Sequence, residues 1–486
     1  MQELIDICQE SFNAEEWPGK TEQAFENLFG SDGGRYPLKA KKEIQFRTPK
    51  IDADKVPFSA IIHESNPSSG GYGGMSFVIL PVEEGPPMIA MVMGTQGLSP
   101  DEHIVGKPGH SRKMNAIVEL LNRNYSGQET IAWAKREAVR IDQSVPENVQ
   151  KKFPEYKGVF ERYGQEIYGF CRGEEEILEK ALKIFLDFHF EERGYTPLTA
   201  FSGEYQKYKQ QYFNFLMPTV DRDRVSSMLQ QRKYLILQGP PGTGKTRLAN
   251  QLFQNEYNEQ GRAIQFHPNT TYENFVGGLF PKSTQSDLGL QFSVSQGDLL
   301  KAVEQAQDTD QNVLLVIDEI NRADLSKVLG EAIFCFEPYE EREIDLPYDF
   351  GGSIGDTLRV PPNLHVLGTM NTADRSIAML DVAIRRRFAF LTMWPQMQVV
   401  EEKGNDITQQ AFQDLLEIFI EYASEDAFVL MPGHSYFIDY PQIDAVDHMQ
   451  TNLIPLLQEY LKQGYVSNFA DAIHAYIQEI QQLNGE

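Results

Sequence analysis

A stretch near the middle of the chain constrains its fold more than any other: a short apolar run, a glycine-rich turn and the start of a helix. The apolar run covers residues 235–237, the turn has the GxxxxGK(S/T) spacing, and the helix opens at Lys245. Glycines let successive backbone N–H groups point at one anion, and the helix N-terminus adds the positive end of its dipole. The stretch therefore predicts a cradle for nucleotide phosphates, in which Lys245 reaches the β- and γ-phosphates and the Thr246 hydroxyl reaches Mg²⁺. The residues that we expect to hold the nucleotide are Gly239, Pro240, Pro241, Gly242, Thr243, Gly244, Lys245, Thr246 and Arg247.

Length and charge narrow the classes of protein to which the chain can belong. Its 486 residues are enough for about three modules of 100 to 200 residues. The net charge of −26 argues against a protein that coats nucleic acid through its overall field. Because no apolar run approaches the roughly 18 residues of a membrane span and no secretory signal is visible, we expect no membrane segment. Three widely spaced cysteines are typical of reduced thiols, which predicts a cytoplasmic protein.

Four regions follow from the succession of helical and strand-like patterns. Residues 1–125 mix helices with three strand-like runs, which predicts an α+β N-terminal recognition or sensor domain with an antiparallel sheet. Residues 126–218 predict a mainly helical connector. Residues 219–394 alternate strands with helices, which predicts the large α/β subdomain of a P-loop NTPase around a parallel sheet. Residues 395–486 predict a small helical lid.

Two carboxylates follow a buried strand about 70 residues after the phosphate loop. The apolar run at 313–317 ends in Asp318 and Glu319. At the carboxyl edge of a parallel sheet, Asp318 can hold Mg²⁺, directly or through water, and Glu319 can polarise the attacking water. Such a pair taken alone could also be a helix N-cap. The phosphate loop upstream favours the catalytic interpretation.

Polar and basic residues follow the next expected strand. Asn371 stands at the tip of that strand, where its amide can donate to a phosphate oxygen or orient water. Arg385, Arg386 and Arg387 are consecutive and cannot all face one core. They can form a solvated basic face, or one of them can act as an arginine finger on a neighbour's nucleotide, which implies a ring.

Taken together, these motifs resemble the AAA+ motor of the McrB family, the NTP-hydrolysing subunits of modification-dependent restriction systems. The resemblance covers about residues 220–486. The run MNTADRS at 370–376 makes it specific, because the phosphate loop alone would fit any P-loop NTPase. The other segments that carry the resemblance are 239–246, 317–322, 385–388 and, in the lid, 433–437.

The resemblance implies a hexameric ring that uses GTP in preference to ATP and recruits a separate McrC-like nuclease, which stimulates hydrolysis and cuts DNA. It assigns Asn371 as the first sensor, Asp374 and Arg375 as organisers of the site, and Arg385 or Arg386 as the finger acting in trans. In such proteins the region before the motor usually selects the DNA target.

The resemblance also extends to neighbouring segments. Asn321 and Arg322 would belong to the interface that senses the partner subunit, and Asp324 departs from the neutral residue expected there. The insert at 344–362 predicts a β-hairpin, which can face a ring pore or lie on the surface.

The front region offers two weaker signals. Residues 107–113 form a compact basic cluster that could grip a phosphate backbone or be a solvated turn and helix start. Four aromatic residues could line a pocket for a flipped base or belong to the core: Phe58, Tyr72, Phe77 and Trp133. No nuclease constellation of carboxylates and lysine is visible, so cutting would belong to a partner.

Two other functions fit parts of the pattern. A MoxR-like ATPase that remodels proteins shares the ring and the insert. A regulatory switch would bind nucleotide and hydrolyse it slowly while the front domain senses a ligand, but intact Lys245, Asp318, Glu319 and Asn371 argue against an inactive site.

Overall fold

A computed structural model describes residues 1–30, 33–51, 55–67, 71–95, 101–127, 129–283, 290–374, 382–440 and 443–483. The chain divides into two compact units. The first unit comprises Met1–Met217 with Ile420–Ser424, and the second comprises Pro218–Phe419 with Glu425–Glu486.

The first unit is built on a six-stranded antiparallel sheet with the strand order β1-β2-β3-β4-β6-β5. Its strands are β1 (Ile44–Arg47), β2 (Ser59–His63), β3 (Gly73–Leu80), β4 (Met88–Thr95), β5 (Ala132–Ala134) and β6 (Ile167–Arg172). Its helices are α1 (Gln2–Gln9), α2 (Trp17–Glu26), α3 (Glu102–Val105), α4 (Pro108–Asn124), α5 (Glu147–Gln150), α6 (Lys157–Tyr163), α7 (Glu175–Glu191) and α8 (Thr199–Leu216).

Alternation along the two central strands gives this sheet two apolar faces. Phe77 and Met91 enter the larger core, which helices α1, α2, α4 and α7 complete. Val78 and Val92 point to the other face, where a smaller core includes Phe153 of the segment before α6. Because side chains alternate across a strand, this sheet is apolar on both faces and its strands read as nearly continuous apolar runs.

The structure differs from the expected arrangement of residues 126–218. Strands β5 and β6 lie in this segment and pair with each other and with β4, in the same sheet as the earlier strands. The segment is therefore part of the first unit, whereas its amphipathic helices predicted a separate helical connector. β6 pairs with β4, and β5 pairs with β6, so these two short runs become strands through partners that lie far away in the sequence.

The second unit contains a parallel five-stranded sheet with the strand order β15-β7-β14-β11-β8. Those strands are β7 (Tyr234–Gly239), β8 (Gly261–Gln265), β11 (Val313–Asp318), β14 (Leu364–Asn371) and β15 (Ala389–Thr392). The helices are α9 (Arg222–Arg232), α10 (Lys245–Asn255), α11 (Tyr272–Phe275), α12 (Asp298–Gln307), α13 (Leu325–Leu329), α14 (Val382–Arg387), α15 (Met397–Lys403), α16 (Asp406–Tyr422), α17 (Glu425–Phe428), α18 (Ala445–His448), α19 (Ile454–Lys462) and α20 (Ala470–Gln482).

Helices cover both faces of this sheet. Ile236 and Leu315 belong to one core with α12 and α13, whereas Leu237 and Leu314 belong to the other with α9 and α10. This is the doubly covered parallel sheet that the alternating pattern predicted.

Two hairpins extend from this unit. β12 (Glu343–Asp345) pairs antiparallel with β13 (Thr357–Arg359), as expected for the insert at 344–362. β9 (Gly277–Ser283) pairs antiparallel with β10 (Leu290–Gln296), a hairpin that the sequence did not reveal. Among the described residues, no helix is both long and apolar enough to cross a membrane.

Candidate functional site

The phosphate loop connects the end of β7 to the start of α10 at the carboxyl edge of the parallel sheet. Gly242 and Gly244 both have φ of 82°, the left-handed region that favours glycine. Gly244 is the N-cap of α10, so the loop ends where the free N–H groups of the helix begin. This backbone has the geometry expected of an anion cradle.

Lys245 is buried and folds back on its own loop. Its ammonium group donates to the carbonyl oxygens of Gly239 at 3.0 Å and Pro240 at 2.8 Å. Burial lowers the pKa of Lys245 to about 8, while the negative charges of Asp318 and Glu319 act in the opposite direction. An anion that binds beside Lys245 would therefore stabilise its protonated form.

Asp318 lies at the end of β11, and its carboxylate accepts hydrogen bonds from two hydroxyl groups. Thr246 Oγ1 donates to Asp318 Oδ1 at 2.8 Å, and Thr369 Oγ1 donates to the same oxygen at 2.5 Å. Hydroxyl and carboxylate oxygens are the hard donors that Mg²⁺ takes alongside substrate phosphates. Thr246 and Asp318 therefore fit a magnesium site next to the phosphate loop.

Glu319 follows Asp318 in a left-handed backbone conformation with φ of 52°. Its N–H donates to Thr369 Oγ1 at 3.1 Å, and its carboxylate forms an ion pair with Arg322. A non-glycine residue with positive φ is uncommon and marks a position where local structure holds the backbone. Here that conformation turns the chain at the carboxyl edge of the sheet.

Asn371 stands beside the first glycine of the loop. The register of β14 on β7 pairs Asn371 with Gly239, and the next N–H, of Thr372, donates to the Gly239 carbonyl at 3.0 Å. The buried Asn321 amide donates to the Asn371 carbonyl oxygen at 3.4 Å. The register thus brings the expected sensor residue to the phosphate loop.

The remaining motif residues fall into three cases. Asp374 is half-buried just beyond β14, and Arg375 lies outside the described residues. Asp324 is the N-cap of α13, where its carboxylate accepts from the Lys327 N–H at 3.3 Å. That cap accounts for a carboxylate where a neutral residue was expected.

The arginine cluster belongs to α14. Arg385 and Arg386 are exposed, whereas Arg387 is buried. Arg386 and Arg387 contact the same carboxylate oxygen of Glu337, at 3.3 and 3.2 Å. Strand β15 follows and begins beside Leu235, at the amino end of the sheet. Helix α14 therefore joins the sheet at the edge opposite to the one from which the phosphate loop emerges.

Residues 433–437 lie in the region where the sequence predicts a lid, and this segment, called the lid segment below, packs directly on the phosphate loop. The Gly433 N–H donates to the Pro241 carbonyl at 2.8 Å, and the Ser435 N–H donates to the Gly242 carbonyl at 3.0 Å. A Cβ at Gly433 would lie 2.0 Å from the carbonyl carbon of Gly242, so only glycine permits this approach.

His434 lies in the same lid segment beside the glycine that caps α10. A Cβ at Gly244 would be 3.8 Å from His434 Nε2. Burial lowers the pKa of His434 to about 4, and the charges of Lys403 and Arg247 act in the same direction. The imidazole is therefore neutral at pH 7.

Sequence reasoning missed Thr369 and the contacts of the lid segment with the loop. The signal for Thr369 was present, because two neighbouring parallel strands that both end near the site place Thr369 next to Asp318. The lid contacts join residues about 190 positions apart, and no local pattern predicts which loop they meet.

The basic cluster of the first unit is not a basic surface. Residues 107–113 form the start of α4, and His110, Arg112 and Lys113 are buried. Lys113 and His110 both contact the carboxylate of Glu192. The segment is a helix start, but of the two alternatives neither the phosphate grip nor the solvated turn holds for these three side chains, because they are buried.

Comparison with known proteins agrees with this geometry. The sequence family described as AAA domain (dynein-related subfamily) matches residues 234–388. The type IV methyl-directed restriction enzyme EcoKMcrB subunit of Escherichia coli K12 is 31% identical over 271 residues, which are 51% of this chain and 58% of that protein. The type II restriction enzyme BsuMI component YdiS of Bacillus subtilis 168 is 26% identical over 189 residues, 32% of this chain and 55% of that protein.

Residues 234–388 match the AAA family model, and about half of the chain is similar to McrB. The chain spans somewhat more than half the length of the two curated relatives it matches. A solved structure of Hsp104 with ATPγS and FITC casein aligns with 53% of this chain and 42% of the Hsp104 chain. The sequence identity is 14% and the TM-score is 0.24. The McrB-like assignment therefore rests on the sequence matches, and the parallel sheet and phosphate loop agree with it.

Proposed function

We propose that this protein is the NTP-hydrolysing, ring-forming motor of a DNA restriction or anti-phage defence complex. The observation that carries the proposal is the Thr246–Asp318 hydrogen bond of 2.8 Å at the carboxyl edge of the sheet. It joins the last residue of the phosphate-loop motif to the acidic strand end, the arrangement that phosphoryl transfer requires.

The side chains divide the chemistry among them. Lys245 would leave its own loop carbonyls and bind the β- and γ-phosphates, and Thr246 and Asp318 would hold Mg²⁺. Magnesium, when bound, supplies positive charge to the phosphate oxygens. Glu319 polarises the water that attacks the γ-phosphate, and Asn371 orients it or donates to a phosphate oxygen. Asp374 and Arg375 complete the organisation of the site.

The placement of the arginine cluster supports a ring. Helix α14 joins the sheet at the edge opposite the phosphate loop, so Arg385 or Arg386 is best placed to act on the nucleotide of an adjacent copy. An arginine finger supplied in trans accelerates hydrolysis strongly in related P-loop enzymes. We infer a homo-hexamer in which each site is completed by its neighbour.

The nucleotide, the partner and the target are inferred from the relatives. Both relatives are named as parts of restriction enzymes, one as a subunit and one as a component. We propose GTP as the favoured nucleotide, with ATP as the alternative, an McrC-like nuclease as the partner that cuts, and DNA, probed for modification by the first unit, as the target.

Nucleic acid dependence of hydrolysis tests this proposal. GTP turnover is measured with no DNA, with an unmodified duplex and with a cytosine-methylated duplex, each with and without the partner nuclease. We expect the nuclease to stimulate turnover and a modified duplex to raise it further. Turnover that responds to neither DNA nor nuclease would contradict a role in restriction.

The hairpin β9–β10 favours one second candidate, a MoxR-like ring that remodels proteins. Phe292 is 60% exposed and Leu279 is 43% exposed. Exposed apolar side chains on a hairpin suit contact with unfolded polypeptide better than contact with phosphates. Stimulation of hydrolysis by an unfolded protein, without any effect of DNA, would favour this candidate.

A further inference from the structure

The second face of the sheet in the first unit is only partly covered. Helix α6 and the segment before it pack on one part of that face, and a cavity of about 510 Å³ opens beside them. Its floor is apolar and is formed by Val78, Leu80 and Val92 of β3 and β4. A cavity of this size falls within the range of about 300–1,000 Å³ that is typical of small-ligand sites.

Aromatic rings form the walls of this cavity. Phe58, Tyr72 and Tyr163 line it, and all three are half-buried, so each ring has a surface directed at the opening. The rings of Phe58 and Tyr163 meet edge to face, with centroids 6.2 Å apart and an interplanar angle of 79°. This contact fixes the two rings and leaves a preformed aromatic wall.

Cations surround the same opening. The Arg47 guanidinium lies 5.4 Å from the Tyr72 ring centroid, and the Arg162 guanidinium lies 5.8 Å from that of Tyr163. Lys55 also lines the cavity. In a chain whose net charge is −26, three cations around one cavity form a local site for an anion.

One carboxylate belongs to the cavity as well. Glu166 is half-buried and lines it together with the three cations. A carboxylate accepts hydrogen bonds from an exocyclic amino group, as acidic side chains do from cytosine. An adjoining cavity of about 600 Å³ shares Lys55, Phe58, Arg162 and Tyr163, so the basic and aromatic lining continues beyond one pocket.

We propose that this cavity binds a single nucleotide unit, an amino-bearing nucleobase that carries a phosphate. The base would stack against the aromatic wall and donate its amino group to Glu166, and the phosphate would contact Arg47, Lys55 or Arg162. This inference rests on the proposed function, because it names the ligand through which the first unit selects a target. The unit comes either from a nucleic acid strand or from a free nucleotide.

Two probes distinguish these sources in the full chain. Lys245→Ala is used as the background so that the phosphate loop does not contribute to binding. Affinities are measured for free deoxycytidine and deoxythymidine monophosphates and for a fluorescent twelve-nucleotide single strand. Saturable binding of the free monophosphates identifies a free nucleotide, whereas binding of the oligonucleotide alone identifies a unit within a strand.

Matched charge reversals then locate the binding. Arg162 is exposed and lines the cavity, and Arg136 is an exposed arginine of the same unit that does not line it. We expect Arg162→Glu and Tyr163→Ala to weaken binding by about tenfold or more, Tyr163→Phe to retain it, and Arg136→Glu to change it by less than about twofold. We expect deoxycytidine monophosphate, which carries the amino group, to bind more tightly than its thymidine counterpart.

Three outcomes would overturn the proposal: no binding of either probe, equal weakening by Arg162→Glu and Arg136→Glu, or, where the free monophosphates bind, equal affinity for the two. GTP hydrolysis is measured in parallel on the unsubstituted chain and on Arg136→Glu with Lys245 intact, and we expect the two rates to agree. Failure of hydrolysis in the unsubstituted chain would sink the proposed motor function and leave the binding result standing. Failure of binding alone would sink only the cavity assignment.

Discussion

Lys245 has two sets of partners available, the carbonyl oxygens of its own loop and the phosphates of a nucleotide. In the structure its ammonium group binds Gly239 and Pro240, and burial lowers its pKa to about 8. The unfolded chain therefore holds more protons than the folded chain between about pH 8 and the ordinary value of 10.5. Stability of the nucleotide-free protein consequently rises with pH across that window as far as this residue contributes.

Nucleotide affinity should show the opposite dependence on pH. A phosphate beside Lys245 stabilises the ammonium form, so binding above about pH 8 takes up a proton. We predict that GTP affinity falls by up to about tenfold per pH unit above that value. Titration calorimetry at pH 7, 8 and 9 measures it, with Lys245→Met as the control that lacks the dependence. The same slope in Lys245→Met would show that another group is responsible.

The catalytic role of Glu319 can be tested by a substitution that keeps its shape. Glu319→Gln keeps the size of the side chain and removes the charge that polarises water. We expect GTP turnover to fall by about 10²-fold or more, while nucleotide affinity changes by only a few-fold. Glu401→Gln, the same change at an exposed position on α15, serves as the control. Unchanged turnover in Glu319→Gln would refute the catalytic assignment.

The residues that were predictable from sequence are those whose spacing is local. Lys245 and Thr246 follow from the loop spacing, and Asp318 and Glu319 from their place after an apolar strand. Thr369 was missed because its role depends on the register of β14 against β11. The burial of Lys113 was missed because its carboxylate partner, Glu192, lies 79 positions away.

At the scale of elements, the lid segment 433–437 and the phosphate loop form one joined structure. Two backbone hydrogen bonds link them, and the approach leaves no space for a Cβ at Gly433. A nucleotide bound in the loop would therefore lie next to the lid segment.

The substitution Gly433→Ala tests the contact between the lid segment and the phosphate loop. The new Cβ would clash with Gly242, so the two segments must separate and lose both hydrogen bonds. At about 0.5–1.5 kcal/mol per bond we expect a loss of roughly 1–3 kcal/mol, a decrease of several degrees in the melting temperature. Gly203→Ala on α8, where a Cβ meets nothing within 4 Å, is the control. Equal melting temperatures for Gly433→Ala and the unsubstituted protein would show that the lid contact is unimportant.

Helices and strands were predictable where the apolar pattern is strongly periodic. They were not predictable where pairing with a distant strand decides whether a segment becomes a strand. The core strands of the second unit follow from apolar runs that alternate with helices. Strands β5 and β6 were not recognised because a short apolar run becomes a strand only when a neighbour supplies hydrogen bonds, as β4 does here. The hairpin β9–β10 was not predicted, because a sequence with exposed apolar side chains has the pattern of neither a buried strand nor a polar turn.

At the scale of the whole molecule, the proposed mechanism requires more than one copy of the chain. Each copy contributes the phosphate loop at one edge of its sheet and the arginine cluster through a helix that joins the opposite edge. A single copy would then lack the charge that stabilises the transition state, so hydrolysis should depend on assembly.

Mixing variants tests whether the finger acts in trans. We expect Arg385→Ala or Arg386→Ala alone to lower turnover by about 10³-fold, and Lys245→Ala to abolish it. A mixture of the two inactive proteins should recover activity, because an intact phosphate loop in one copy meets an intact arginine in another. Arg136→Ala, in the first unit, is the control. A mixture no more active than its components would argue against the ring arrangement.

The most direct test of the central claim is the turnover of GTP and ATP by the purified chain, side by side, in the presence of Mg²⁺. We expect hydrolysis of both nucleotides or of GTP alone, with GTP turned over faster and with activity lost when the metal is chelated. A clear preference for ATP would contradict the proposed nucleotide, and the absence of any hydrolysis would contradict the motor itself.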